Sequence, residues 1–206
     1  TAHWRASGVI ESQRAALAPL TPVKQILVMS GSASPMTAQQ IQWASQNGFD
    51  AIRLPAEEFI KPRGAEKARG ALQERALKSL ASGKSVVIYT AAGPDDPDIR
   101  ATRERLAANA GGSSNTARVL GTEMGRMMRD LLAQSGLRRA VIAGGDTSSY
   151  ATQELGLYGL EMRAELTPGA PLCRGYSNDP RFDQLEIALK GGQMGRLNYF
   201  GQVRGS

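Results

Sequence analysis

Apolar residues fall into two spacings along this chain, and their alternation predicts its architecture. Short unbroken apolar runs mark buried strands at Gln25–Met29, Ala51–Leu54, Ser85–Thr90 and Arg138–Ala143. Between them, apolar positions recur every three or four residues, which predicts helices over Thr37–Asn47, Glu66–Leu80, Ile99–Asn109 and Thr116–Gln134. Gly48 and Gly136 stand where helix caps are expected, since glycine accepts the left-handed conformation that ends a helix. A short helix is expected at Tyr150–Leu155. After it, Glu161–Leu166 and Gln184–Leu189 alternate polar and apolar residues, as half-exposed strands do.

Strands alternating with helices define an α/β fold, a layered and mostly parallel sheet with room for antiparallel members and helices on both faces. The stretch Trp4–Leu17 has helical spacing and stops at Pro19 and Pro22. Residues 1–21 therefore read as a leader or linker helix, and 22–206 as the main domain. The first residue is Thr1 rather than Met, which fits a piece cut from a longer chain.

Composition narrows the function. With 206 residues, 41% hydrophobic and 21% charged, the chain can bury one ordinary core. No apolar stretch approaches the roughly 18 to 20 residues of a membrane span, and the start lacks a secretory signal, so a cytoplasmic protein is expected. Cys173 and His3 are the only cysteine and histidine. An intrachain disulfide and a Cys/His zinc site are thereby excluded, and any divalent metal would use oxygen ligands. The formal charge of +6 suits an anionic ligand or a solvated surface; its dispersed Lys and Arg residues carry no nucleic-acid motif.

Three small-residue turns follow predicted strands: Ser30-Gly31-Ser32-Ala33-Ser34, Gly144-Gly145-Asp146-Thr147-Ser148 and Lys190-Gly191-Gly192-Gln193-Met194-Gly195. In open α/β sheets ligands sit outside the carboxyl ends of the strands. Glycine lets a main chain approach a ligand closely, and a helix start offers unpaired N–H donors, a combination suited to phosphate. Ser32, Ser34, Thr147 and Ser148 could add hydroxyl donors, Lys190 a point charge, and Asp146 a ligand for Mg2+. Together they suggest a nucleoside triphosphate site. The plainer alternative is that the glycines permit turns, the hydroxyls cap helices and Lys190 is solvated.

Other features are set aside. Ser82-Gly83-Lys84-Ser85 ends like a phosphate-binding loop but precedes a strand, as a helix C-terminus would. Gly31-Ser32-Ala33-Ser34 lacks the G-x-S-x-G pattern, and its only possible histidine base is His3, so a serine hydrolase is disfavoured. Asp95, Asp96 and Asp98 could approach a metal, although turn initiation beside Pro94 and Pro97 explains them. Cys173 reads as packed and inert.

Four segments resemble the C-terminal half of the four-carbon acid sugar kinases: Ser30–Thr37 with Gln40-Ile41 downstream, Ala143–Ser148, Pro168–Cys173 and Leu189–Gly195. Their order and spacing match over about Pro22 to Phe200. The resemblance implies an ATP-dependent enzyme of tetronate catabolism that phosphorylates the terminal hydroxyl of threonate, erythronate or a 3-oxo-tetronate. It further implies that this part holds the nucleotide, while a separate N-terminal domain, without counterpart here, holds most of the sugar-acid site. Nucleotide contacts would come from Ser32, from Gly144, Gly145, Asp146 and Thr147, and from Gly191 or Gly192. Ser149 stands where the family often has glycine, and Gln193-Met194 where an asparagine-aromatic pair is more usual. No general base is assigned, and a homodimer is compatible with the sequence. The rival readings are a dinucleotide-dependent oxidoreductase, disfavoured by the missing G-x-G-x-x-G after the first strand, and a non-enzymatic sensor of sugar phosphates.

Overall fold

Residues 2–8, 19–59, 65–110 and 116–206 are described by the computed structural model of the chain. Its elements are α1 (Ala2–Ala6), β1 (Leu27–Ser30), α2 (Pro35–Gln46), β2 (Phe49–Arg53), α3 (Ala56–Phe59), α4 (Ala65–Ala81), β3 (Ser85–Tyr89), α5 (Pro97–Ala110) and α6 (Thr116–Ser135). They continue with β4 (Arg139–Ala143), α7 (Gly145–Glu154), β5 (Leu157–Ala164), β6 (Leu172–Ser177), β7 (Glu186–Lys190) and α8 (Tyr199–Arg204). The expected leader helix is described only as α1; its continuation over 9–18 lies outside the described residues. Among the described residues, no helix is long and apolar enough to cross a membrane.

All seven strands join one sheet in the order β2-β3-β1-β4-β7-β6-β5. The first five are mutually parallel, whereas β6 pairs antiparallel with both β7 and β5. The sheet is therefore mixed, with its antiparallel strands gathered at one edge. Because successive side chains in a strand point to opposite faces, β1 feeds two cores. Leu27 and Met29 join Met124, Met127 and Leu131 of α6 and Leu72 and Ala76 of α4. Ile26 and Val28 join Ile41 of α2 and Tyr199, Phe200 and Val203 of α8. Met124, Met127 and Leu131 recur at helical spacing, and each buried side chain of this size contributes about 1.5 to 3 kcal/mol.

This layering creates the crevice. Adjacent strands β1 and β4 send their following helices to opposite faces: α2 packs on one core through Ile41 and Ala44, α7 on the other through Ala151 and Leu155. A sheet opens between strand ends where successive connections diverge in this way.

Several elements differ from the sequence expectation. Helix α7 begins at Gly145, not at Tyr150, because the backbone turns at Gly144 (φ +115°) and Ser148 N–H already donates to Gly144 O at 2.8 Å. Asp146, Thr147 and Ser148 thus occupy a first helical turn rather than a loop. Strand β5 starts at Leu157, earlier than expected, and its pairing with β6 is irregular at two points. Strand β6 and the short helices α3 and α8 were not foreseen. Beyond α4, Gly83 takes φ +85°, the helix ending expected for Ser82-Gly83-Lys84-Ser85.

Candidate functional site

The three small-residue turns end β1, β4 and β7, which are sheet neighbours, so they lie side by side. Backbone bonds stitch them together: Gly31 N–H donates to Ala143 O and Gly144 N–H to Lys190 O, both at 2.9 Å. The approach is too close for side chains. A Cβ at Gly31 would lie 1.9 Å from Thr147 Oγ1, and one at Gly192 would lie 2.5 Å from Ser32 Oγ. Glycine is required here by contact across the chain.

These turns form one wall of a cleft of about 890 Å3. Of the residues singled out in the sequence, Gly31, Ser32, Asp98, Gly144, Gly145, Asp146, Thr147 and Gly192 line it. Helix α7 starts within this wall and Gly144 offers no side chain to cap it, which leaves first-turn amides and the positive end of the helix dipole at the cleft.

Five expected contacts lie elsewhere. Ser34 caps α2, accepting from Thr37 N–H at 3.1 Å, and its hydroxyl donates to Gly192 O at 2.5 Å. Ser148 turns its hydroxyl back to Ile142 O at 3.4 Å. Ser30 is fully buried, and its hydroxyl has no partner among the described residues. Gly191 lies beside the cleft without lining it. Lys190, expected at the strand end as a phosphate contact, is 1% exposed and sits behind the turn, its ammonium donating to Thr37 Oγ1 at 2.9 Å and Gly192 O at 3.2 Å. Its side chain follows the alternation of β7 and points, like Ala188, toward the α2 face.

Of the opposite wall, the sequence singled out Asp98 alone. This wall comes from α3, α5 and α6, with Ala56, Asp98, Ile99, Thr102, Glu104, Ala117 and Leu120, and from Thr90 and Ala91 behind β3. Beside the carboxylates of Asp98 and Glu104 and the two threonines, the wall is small or apolar, and helix periodicity gave no reason to separate these apolar residues from ordinary packing. Thr102 is 4% exposed, and its hydroxyl has no hydrogen-bond partner among the described residues. In the acidic loop, Asp96 and Asp98 are tied to Arg53 at 2.6 and 2.7 Å, and the guanidinium also lies 5.4 Å from the Tyr89 ring centroid. The Arg53 contact holds the Asp96 carboxyl below the usual carboxylate range. Asp96 also accepts from Ala92 N–H and Asp98 N–H, so it serves both the expected turn and the ion pair. Among the described residues no group of three or more acidic, His or Cys side chains is placed to hold a metal ion. Cys173 lies in β6, and burial pushes its thiol up, away from the reactive thiolate.

A cleft at a topological switch point, walled by three glycine turns and a helix N-terminus, defines an α/β nucleotide-binding domain. The chain belongs to the C-terminal domains of the four-carbon acid sugar kinase family: residues 27–200 match the family described as "Nucleotide-binding C-terminal domain". It is 40% identical over 203 residues to the 3-oxo-isoapionate kinase of Paraburkholderia graminis, covering 98% of this chain and 43% of that protein. It is 30% identical over 177 residues to the 3-oxo-tetronate kinase of Cupriavidus necator, covering 86% and 37%. The chain therefore spans less than half the length of these curated relatives. Two crystal structures share the fold. One, from Haemophilus influenzae, has a TM-score of 0.72 at 23% identity, covering 98% of this chain and 44% of that one. The other, a citrate-bound, domain-swapped dimer from Bordetella bronchiseptica, has a TM-score of 0.67 at 17% identity, covering 89% and 41%.

Proposed function

We propose that this chain is the ATP-binding part of a kinase that phosphorylates a terminal hydroxyl of a small sugar acid. The acceptor belongs to the class formed by threonate, erythronate and the 3-oxo-tetronates, to which the name of the Paraburkholderia graminis relative adds 3-oxo-isoapionate. The observation that carries this reading is the meeting of the three glycine turns in one cleft whose far wall offers the apolar side chains of Ala56, Ile99 and Leu120 beside the carboxylates of Asp98 and Glu104. Adjacent strands lie about 4.8 Å apart, so from β7 to β3 the cleft crosses roughly 14 Å of sheet edge. That length accommodates a polyphosphate at the glycine turns and a nucleobase against Ala56, Ile99 and Leu120.

In this reading Gly31, Gly144, Gly145 and Gly192 let main-chain amides reach the phosphates, and the hydroxyls of Ser32 and Thr147 add donors. Asp146 is exposed in the first turn of α7, beside amides suited to an anion. A bare carboxylate there would repel a phosphate, so the arrangement fits Asp146 as an oxygen ligand to Mg2+, with the remaining ligands from phosphate and water. When bound, Mg2+ would supply charge neutralisation at the transferring phosphoryl group. The chain's own residues position the nucleotide and keep water from its buried side, the contribution phosphoryl transfer chiefly requires. The acceptor and its general base belong, in this proposal, to sequence beyond this chain.

Calorimetry of the chain with ATP-Mg and with NAD tests the nucleotide part. ATP-Mg is expected to bind and NAD to bind more weakly; a preference for NAD removes the kinase, and binding of a sugar phosphate alone points to a sensor. Labelled-ATP assays on a longer gene product, with a panel of sugar acids that includes 3-oxo-isoapionate, would then identify the acceptor.

A further inference from the structure

Among the described residues, Lys190 is a buried cation without a counter-ion. Of its ionisable surroundings, α2 contributes none and β1 none. Arg139 of β4 and Glu186 of β7 pair with each other at 2.6 Å at the opposite end of their strands. Arg174 and Tyr176 of β6 bind Glu161 while Cys173 is half-buried, and of α7 Glu154 pairs with Arg126 while Asp146 is exposed to the cleft. From α8, Tyr199 donates to Ala170 O at 2.9 Å and Arg204 to Asn47 O at 3.1 Å, and Arg196 of the turn before α8 is exposed. The ammonium instead touches Thr37 Oγ1 and Gly192 O. Gly192 O also accepts from Thr37 Oγ1 at 2.7 Å and from Ser34 Oγ, so three side chains grip one carbonyl in the cleft wall. A planar trans peptide fixes its N–H opposite its C=O, so the same grip orients the Gln193 amide.

Holding a carbonyl does not require a charge. A neutral amide would do so without the several kcal/mol that burying an uncompensated ammonium costs. What distinguishes lysine is its positive field directly behind a wall built for anions. We propose that Lys190 is a positioning residue for a polyphosphate ligand: it fixes the Gly192 turn from behind and supplies a buried positive charge that an anion in the cleft compensates. This inference rests on the nucleotide reading of the cleft and names how its phosphate end is charged.

A binding partner that favours the charged form must bind less well as that form is lost. Burial pushes the Lys190 ammonium down to about 8, so the loss falls in an accessible window. A terminal phosphate has already ionised below that window. Affinity for ATP-Mg and for tripolyphosphate-Mg is therefore expected to fall roughly 10 to 30-fold between pH 7.5 and 9.5. Titration calorimetry in two buffers of different ionisation heat should also show proton uptake on binding near pH 8.5.

Lys190→Met should bind both ligands more weakly at pH 7.5 and show no fall between 7.5 and 9.5. If that variant does not fold, proton uptake by the unaltered chain decides the matter alone. Unchanged affinity across the range without proton uptake, or a fall of the same size in Lys190→Met, overturns the role of Lys190 while leaving ATP binding intact. Binding of tripolyphosphate with this pH dependence but no binding of ATP would uphold Lys190 and overturn the nucleotide reading. Binding of neither overturns both.

Discussion

The turns behind β1, β4 and β7 and the turn behind β3 stand on the same edge of one sheet, yet they use their polar groups in opposite ways. Behind β3, Asp96 accepts from Ala92 N–H at 2.7 Å and from Asp98 N–H at 3.1 Å, and pairs with Arg53. Its donors and acceptors are spent internally. Behind β1, β4 and β7, glycines bring the main chain together without side chains to occupy it, and helix α7 starts uncapped. A strand edge becomes a ligand site where hydrogen-bonding capacity is left over, and a scaffold where it is consumed.

The comparison breaks most easily at Gly31. Gly31→Ala puts a methyl group within bonding range of Thr147 Oγ1, and should destabilise the fold by about 1 to 3 kcal/mol and abolish measurable ATP binding. Adding Thr147→Ala should restore part of the stability in denaturant unfolding; no recovery would mean the contact is not the cause.

Asp146→Asn sharpens the contrast between leftover and spent groups. Affinity for ATP-Mg should drop about tenfold, the melting temperature should hold, and Mg2+-free tripolyphosphate should bind no worse. An equal loss with and without Mg2+ would remove Asp146 from the metal.

On the spent side, Arg53→Met should cost about 1 kcal/mol, since Arg53 is partly exposed and its pairing is screened. The pH sign follows from Asp96. Its folded-state carboxyl is depressed, so its stabilisation is complete above the unfolded value of 3.8 and is lost as pH falls through the lower folded value. Urea midpoints between pH 5 and 3 should accordingly fall more steeply in the unaltered chain than in Asp96→Asn. The smallest effect is expected at Thr102, whose buried hydroxyl has no partner among the described residues. Thr102→Val should raise the stability of the ligand-free protein by about 0.5 to 1 kcal/mol in the same assay.

Much of the scaffold was legible because its signals are local. The run Val86-Val87-Ile88 and the spacing of Met124, Met127 and Leu131 identify a buried strand and a core-facing helix without reference to the rest of the chain. The glycine turns were legible too, since each follows a strand. Harder were β6, where Arg174 and Gly175 break the apolar pattern, and the start of α7, where glycines masked a helical turn. The apolar part of the far wall carried no signal, because alanine and leucine near a helix start look alike whether they face a core or a ligand.

The amino-acid order alone determined that strands and helices alternate, that the sequence holds a single cysteine and a single histidine, and that glycine and hydroxyl residues gather behind three particular strands. Only the tertiary structure decided that those strands are neighbours, that Thr147 fills the space a Gly31 side chain would need, and that Lys190 lies behind the wall instead of within it. The reason is physical: a hydrophobic period records which face of an element is buried. Which element covers that face, and which polar groups remain unpaired afterwards, depends on contacts between residues more than a hundred positions apart.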